Sequence, residues 1–197
     1  MNRRTYLAGV CMGISSVTGC MATGRKQTDT SKRELSSVSV TTSDDSPFLI
    51  EPNIEQRDIN QEQTAEFILT ITWNGNKSRG LTFGNQVPFS SPNYSSERSG
   101  LVLLPADTTI ERKNKQTWVP ETYSDGGIAS NSSLVTGKFE PGESLSGSWG
   151  VWADPKNASR VEPGTYRFEN QIGLYEDLTS DDTEDIDWLL RLKIVEA

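Results

Sequence analysis

Ala65-Glu66-Phe67-Ile68-Leu69-Thr70-Ile71-Thr72-Trp73 decides the fold class of this chain. Phe67, Leu69, Ile71 and Trp73 recur every second residue, the period of a strand with one face in a core. Asn74-Gly75-Asn76 then supplies turn residues that end the strand. Working outward, the same grammar repeats. Phe48-Leu49-Ile50 and Ile54 form a preceding strand, and Leu81-Thr82-Phe83-Gly84 a short following one that runs into Val87-Pro88-Phe89. Leu101-Val102-Leu103-Leu104 is apolar at every position, which predicts a strand buried on both faces. Trp118-Val119-Pro120 reads as a brief edge piece, and residues 134–139 as a strand after a Gly/Ser-rich loop.

Two Pro-Gly pairs punctuate the second half. In Glu140-Pro141-Gly142-Glu143 and Glu162-Pro163-Gly164-Thr165, proline presets φ at the second turn position and glycine accepts positive φ at the third, as a type II turn requires. The first launches residues 144–152, with Leu145, Trp149 and Val151 on one side; Trp149 and Trp152 fall at opposite parity, so one faces out or a bulge intervenes. The second launches residues 165–174, with Tyr166, Phe168, Ile172 and Leu174 on one face. In the last segment Trp188, Leu190, Leu192 and Ile194 alternate with Arg191 and Lys193, which favours a strand over the helix that Leu189, Leu192 and Val195 would also fit.

Seven or eight short strands with turn signals between them and no convincing helix predict an all-β, two-sheet sandwich, with an up-and-down barrel as the alternative. The alternating strand ending in Asn-Gly, then Phe139-Glu140-Pro141-Gly142-Glu143-Ser144 leading to Trp149, then Pro163-Gly164-Thr165-Tyr166-Arg167-Phe168, resemble secreted immunoglobulin-like domains of bacteria and archaea. The order is similar to the BsuPI-type proteinase-inhibitor fold and more so to haloarchaeal lipoprotein domains of no assigned function. The resemblance runs from Ala65 to Leu174 and implies an Ig-like sandwich, with the folded domain expected over residues 46–197. It transfers no inhibitory residue.

The chain opens with Arg3-Arg4-Thr5-Tyr6-Leu7 and an apolar stretch to Val17, too short to span a bilayer. It resembles a twin-arginine export signal, with Arg3 and Arg4 as the signal pair. Val17-Thr18-Gly19-Cys20 resembles a lipobox, which implies cleavage after residue 19 and lipidation of Cys20. Of two cysteines, Cys11 would be removed, leaving Cys20 without an intramolecular partner. Residues 20–45, rich in Ser, Thr, Lys and Asp, then read as a disordered tether in which Leu35, Val38 and Val40 are the sole strand candidates. The expected location is the outer face of the cytoplasmic membrane, with lipid on Cys20 as the membrane contact.

Net charge is −8; loss of residues 1–19, which carry Arg3 and Arg4 and no acid, takes it to −10. That balance, without a basic stripe, argues against nucleic acid and suits a solvent of high salt. The chain has no histidine. Ser-His-Asp triads, Cys-His pairs and histidine zinc sites are therefore excluded.

The remaining candidates are few. The acidic stretch 176–187 has the carboxylate density for Ca²⁺ but lacks the EF-hand spacing and glycine, and reads as a solvated hairpin loop. No carboxylate pair is marked out for glycoside hydrolysis. Trp73, Trp118, Trp149, Trp152 and Trp188 fit strand packing better than a sugar-binding face. Asn76, Asn93, Asn131 and Asn157 each begin an Asn-X-Ser sequon and are candidate N-glycosylation sites in an exported chain. Neither cofactor nor metal is expected. The reading is a non-catalytic surface lipoprotein, a binding or structural module whose partner is an envelope protein; the alternative is inhibition of an extracellular protease.

Overall fold

The computed structural model describes residues 32–83, 100–106, 112–114, 117–120, 135–176 and 183–197. Among them are twelve strands and no helix. In chain order they are β1 (Arg33–Thr42), β2 (Phe48–Gln56), β3 (Asp58–Ile59), β4 (Glu66–Trp73), β5 (Arg79–Phe83), β6 (Leu101–Pro105), β7 (Arg112–Asn114), β8 (Thr117–Pro120), β9 (Val135–Phe139), β10 (Ser144–Ala153), β11 (Gly164–Tyr175) and β12 (Thr183–Glu196). The strands exceed the expected seven or eight because β1, β3 and β7 lie where the sequence has little apolar periodicity, whereas β8 is the edge piece read at Trp118-Val119-Pro120.

Two antiparallel sheets face each other. One runs β2-β4-β10-β6 and the other β3-β1-β12-β11-β5-β9, with β7-β8 a separate pair. The four-stranded sheet follows the ABED order of an immunoglobulin sandwich, and β5, β11 and β12 the CFG order of its partner. Two separate sheets exclude the single-barrel alternative. β9 departs from the plan: it lies beside β5 yet follows β6 in the chain.

The core sits between the sheets and is built from the alternate positions read in the sequence. From β4 come Phe67, Leu69, Ile71 and Trp73, from β11 Tyr166, Phe168 and Ile172, and from β12 Trp188, Leu190, Leu192 and Ile194. Each fully buried aliphatic or aromatic side chain contributes about 1.5–3 kcal/mol. β12 is therefore a strand, not a helix. It begins at Thr183, so residues 183–187 of the acidic stretch belong to the sheet rather than to a loop.

β6 is covered on both sides. Leu101 and Leu103 enter the main core, while Val102 and Leu104 join Trp152 in a second cluster on the outer face of the four-stranded sheet. Trp118 of β8 closes that cluster, its ring 5.0 Å from that of Trp152 in an edge-on contact, and its Nε1–H donates to the Asn60 carbonyl at 2.6 Å. Trp149 and Trp152 thus face opposite ways without a bulge, and both are buried.

Residues 33–42, expected within the tether, form β1, so the sandwich includes a strand ahead of the expected boundary at 46. Few apolar residues suffice because β1 buries one face only, with Leu35 inside and Val38 and Val40 packed against the core. Its backbone pairs with β12 and β3. A register shift between Leu35 and Ser37 frees carbonyls that the Arg57 guanidinium takes up: Nη1 donates to Leu35 O at 3.0 Å and to Ser36 O at 2.9 Å. The chain then crosses to β2 in the other sheet through a turn in which Ser46 N–H donates to Ser43 O.

The two Pro-Gly pairs diverge. Gly142 has φ 83°, and Glu143 N–H donates to Glu140 O at 2.9 Å, a type II turn as read. Gly164 has φ 158° and is already the first residue of β11. That corner is held instead by Tyr166, whose hydroxyl donates to the Glu162 carbonyl at 2.7 Å. This is the tyrosine corner of Greek-key sandwiches, where the phenol satisfies a carbonyl that no turn bond takes up.

Candidate functional site

A concavity lined by described residues lies on the outer side of the six-stranded sheet, at the end where β1 leaves β12. It encloses about 680 Å³ and is lined by Thr41, Glu169, Asn170, Gln171, Asp187, Trp188 and Leu189. The register explains the grouping. Thr41, Leu189 and Glu169 stand in one cross-strand row, Gln171 and Asp187 in the next outward row. Asn170 and Trp188, paired opposite each other between those rows, are buried.

Polar contacts order this groove. Gln171 Nε2 donates to Asp187 Oδ1 at 2.8 Å, and Arg191 Nη1 to Thr41 Oγ1 at 3.0 Å. Beside it, Arg167 and Arg191 stand directly opposite each other and Lys193 opposite Thr165, a positive strip on an acidic chain. Like charges in opposed positions are unfavourable unless other groups compensate them; Glu169 stands two residues along β11 from Arg167 and Asp187 farther along β12. The result is a hydroxyl, one exposed amide and two carboxylates around an exposed sheet surface, with the Asn170 amide buried beneath it. Such groups orient a polar ligand by hydrogen bonds. Sequence reading missed Thr41, Gln171 and Leu189 because each is an outward position, indistinguishable there from ordinary solvated strand.

Of the residues singled out from sequence, Arg3, Arg4, Cys20, Asn93 and Asn131 lie outside the described residues, as do Val87-Pro88-Phe89 and positions 177–182 of the acidic stretch. Asn76 and Asn157 are exposed and sit in separate connections between strands, Asn76 between β4 and β5 and Asn157 between β10 and β11. No group of three or more acidic or cysteine side chains placed to hold a metal ion occurs among the described residues. Nor does any helix there have the length and apolarity to cross a membrane. No protein-family model and no curated protein sequence matches the chain.

Proposed function

We propose that this chain is a cell-surface lipoprotein whose Ig-like sandwich is a non-catalytic binding or structural module of the envelope. The observation that carries the reading is the order Arg3-Arg4, a short apolar run and Gly19-Cys20, placed ahead of an all-β domain whose first described strand is Arg33–Thr42. Export through the twin-arginine route moves folded proteins, and this domain has a continuous core to fold around before transit. Twelve residues separate Cys20 from Arg33. Fully extended they reach roughly 40 Å, so a lipid on Cys20 would hold the domain within about that distance of the membrane. The groove at Thr41, Gln171 and Asp187 offers a partner a concave, polar surface.

Cys20→Ser tests the anchor. The substituted chain should appear in the medium, or accumulate unprocessed, when membranes are fractionated and probed; full retention in membranes after the substitution overturns the reading.

A further inference from the structure

We infer that the fold selects between its two described sequons: Asn76 is an acceptor for an N-linked oligosaccharide and Asn157 is refused. The inference rests on the exported reading for where the chain would meet the transferase. The selection itself rests on local geometry.

In the transfer, the acceptor Nδ2 attacks the anomeric carbon of a lipid-pyrophosphate-linked oligosaccharide. The new N–C bond forms as the sugar–phosphate bond breaks. The lipid pyrophosphate leaves with the bonding pair, and the amide loses one proton to a base of the transferase. The three sequon residues must therefore enter the transferase's cleft with the amide free. A chain that folds before export presents its sequons already in the native shape, so whatever holds a sequon down opposes transfer.

Asn157 is held by one residue, Asp154, which is 2% exposed. Asn157 Nδ2, the reacting atom, donates to Asp154 Oδ2 at 2.6 Å in a half-buried setting. Lys156 N–H donates to Asp154 Oδ1 at 3.0 Å. The backbone N–H groups of Asn157 and Ala158 donate to the Asp154 carbonyl at 3.1 and 2.8 Å. Ala158, the middle sequon residue, is partly buried against the main core. Drawing Asn157 into a second protein would break charge-assisted bonds and strip a buried carboxylate of its donors, the costly direction for a hydrogen bond to be lost.

Asn76-Lys77-Ser78 lies in the connection between β4 and β5, with Asn76 and Lys77 exposed. Trp73 Nε1–H donates to the Lys77 carbonyl at 2.8 Å, a bond that does not involve the exposed Asn76 side chain.

The test uses the purified, folded full chain with a single-subunit oligosaccharyltransferase that accepts Asn-X-Ser, its lipid-linked oligosaccharide donor, and site-resolved mass spectrometry. Synthetic peptides spanning residues 70–82 and 150–163 serve as unfolded references. Both peptides should be modified, whereas the folded chain should carry glycan on Asn76 and not on Asn157. Asp154→Ala should raise occupancy at Asn157 by about tenfold or more, the scale of losing a charge-assisted bond, and leave Asn76 unchanged. Occupancy of Asn157 in the folded wild-type chain equal to that in its peptide overturns the inference, as does a blank Asn76 beside a modified peptide. The wild-type comparison stands even if Asp154→Ala fails to fold. Because the assay is done on purified chain, its failure is separate from failure of the Cys20 anchor.

Discussion

Gly75 separates what a turn residue signals from what it does. In the sequence, Asn74-Gly75 marks a turn, and the usual reason for glycine there is positive φ. The described glycines with positive φ are Gly100, Gly142 and Gly164, so Gly75 is needed for another reason. A β-carbon at Gly75 would lie 2.1 Å from Cζ2 of Trp73. That ring cannot step aside: it is buried, its centroid lies 5.1 Å from that of Phe48, and its Nε1 is tied to Lys77 O. Gly75→Ala should therefore destabilise by about 1–3 kcal/mol, as overpacking of a fixed core does, read from the urea midpoint. A change below about 0.5 kcal/mol would show the ring to be free to move. The turn was legible from residue type, and its cause was not, because the contact is made by a side chain folding back over its own strand end. Gly142 is the opposite case, where residue type and φ agree.

Elements were legible in proportion to how one-sided their burial is. β4, β11 and β12 each bury one face, so their period of two announced both the strand and its core positions. The uniform apolarity of β6 announced burial on both sides, though what covers its outer face, Trp118 from a separate hairpin, left no local trace. β1 was missed for a physical reason: it contributes backbone pairing more than apolar area, and its composition is that of a solvated segment. Yet it pairs with β12 from Arg33 to Thr42 and places Leu35 fully inside. Residues 31–197 should fold alone, with a sheet spectrum by circular dichroism and one cooperative urea transition. A chain beginning at residue 46 loses β1, leaves the β12 edge open and vacates the Leu35 site. Loss of that one leucine is worth about 2–5 kcal/mol, and a bare edge strand invites aggregation. Equal midpoints for the two chains would mean that β1 is not part of the folding unit.

At the scale of the molecule, a pattern of period two cannot choose between a sandwich and a barrel, because both bury one face of every strand. The choice is made by non-local pairing: β10 pairs with β4 and β6, while β9, joined to it by the turn at Gly142, pairs with β5 in the opposite sheet. The groove is likewise non-local, gathered from β1, β11 and β12. Charge is the global property the sequence does state. Residues 1–30 hold Arg3, Arg4, Arg25 and Lys26 against Asp29, so residues 31–197 carry −11 where the whole chain carries −8. The described ion pairs, Arg79–Glu176, Lys138–Glu140 and Arg160–Glu162, are exposed on at least one side and offset little of this. Self-repulsion of the compact state is then the dominant electrostatic cost, and it is a long-range cost that salt removes. Raising NaCl from about 0.1 to about 1 M shortens the screening length from roughly 10 to 3 Å. The urea midpoint of residues 31–197 at pH 7 should rise across that range. The whole chain is isoelectric near pH 4.7 and residues 31–197, more acidic by three charges, lower still; at the fragment's own isoelectric point there is little net charge to screen and the rise should shrink. A midpoint that falls with salt at pH 7, or climbs as steeply at the isoelectric point, would assign the salt response to something other than the acidic surface.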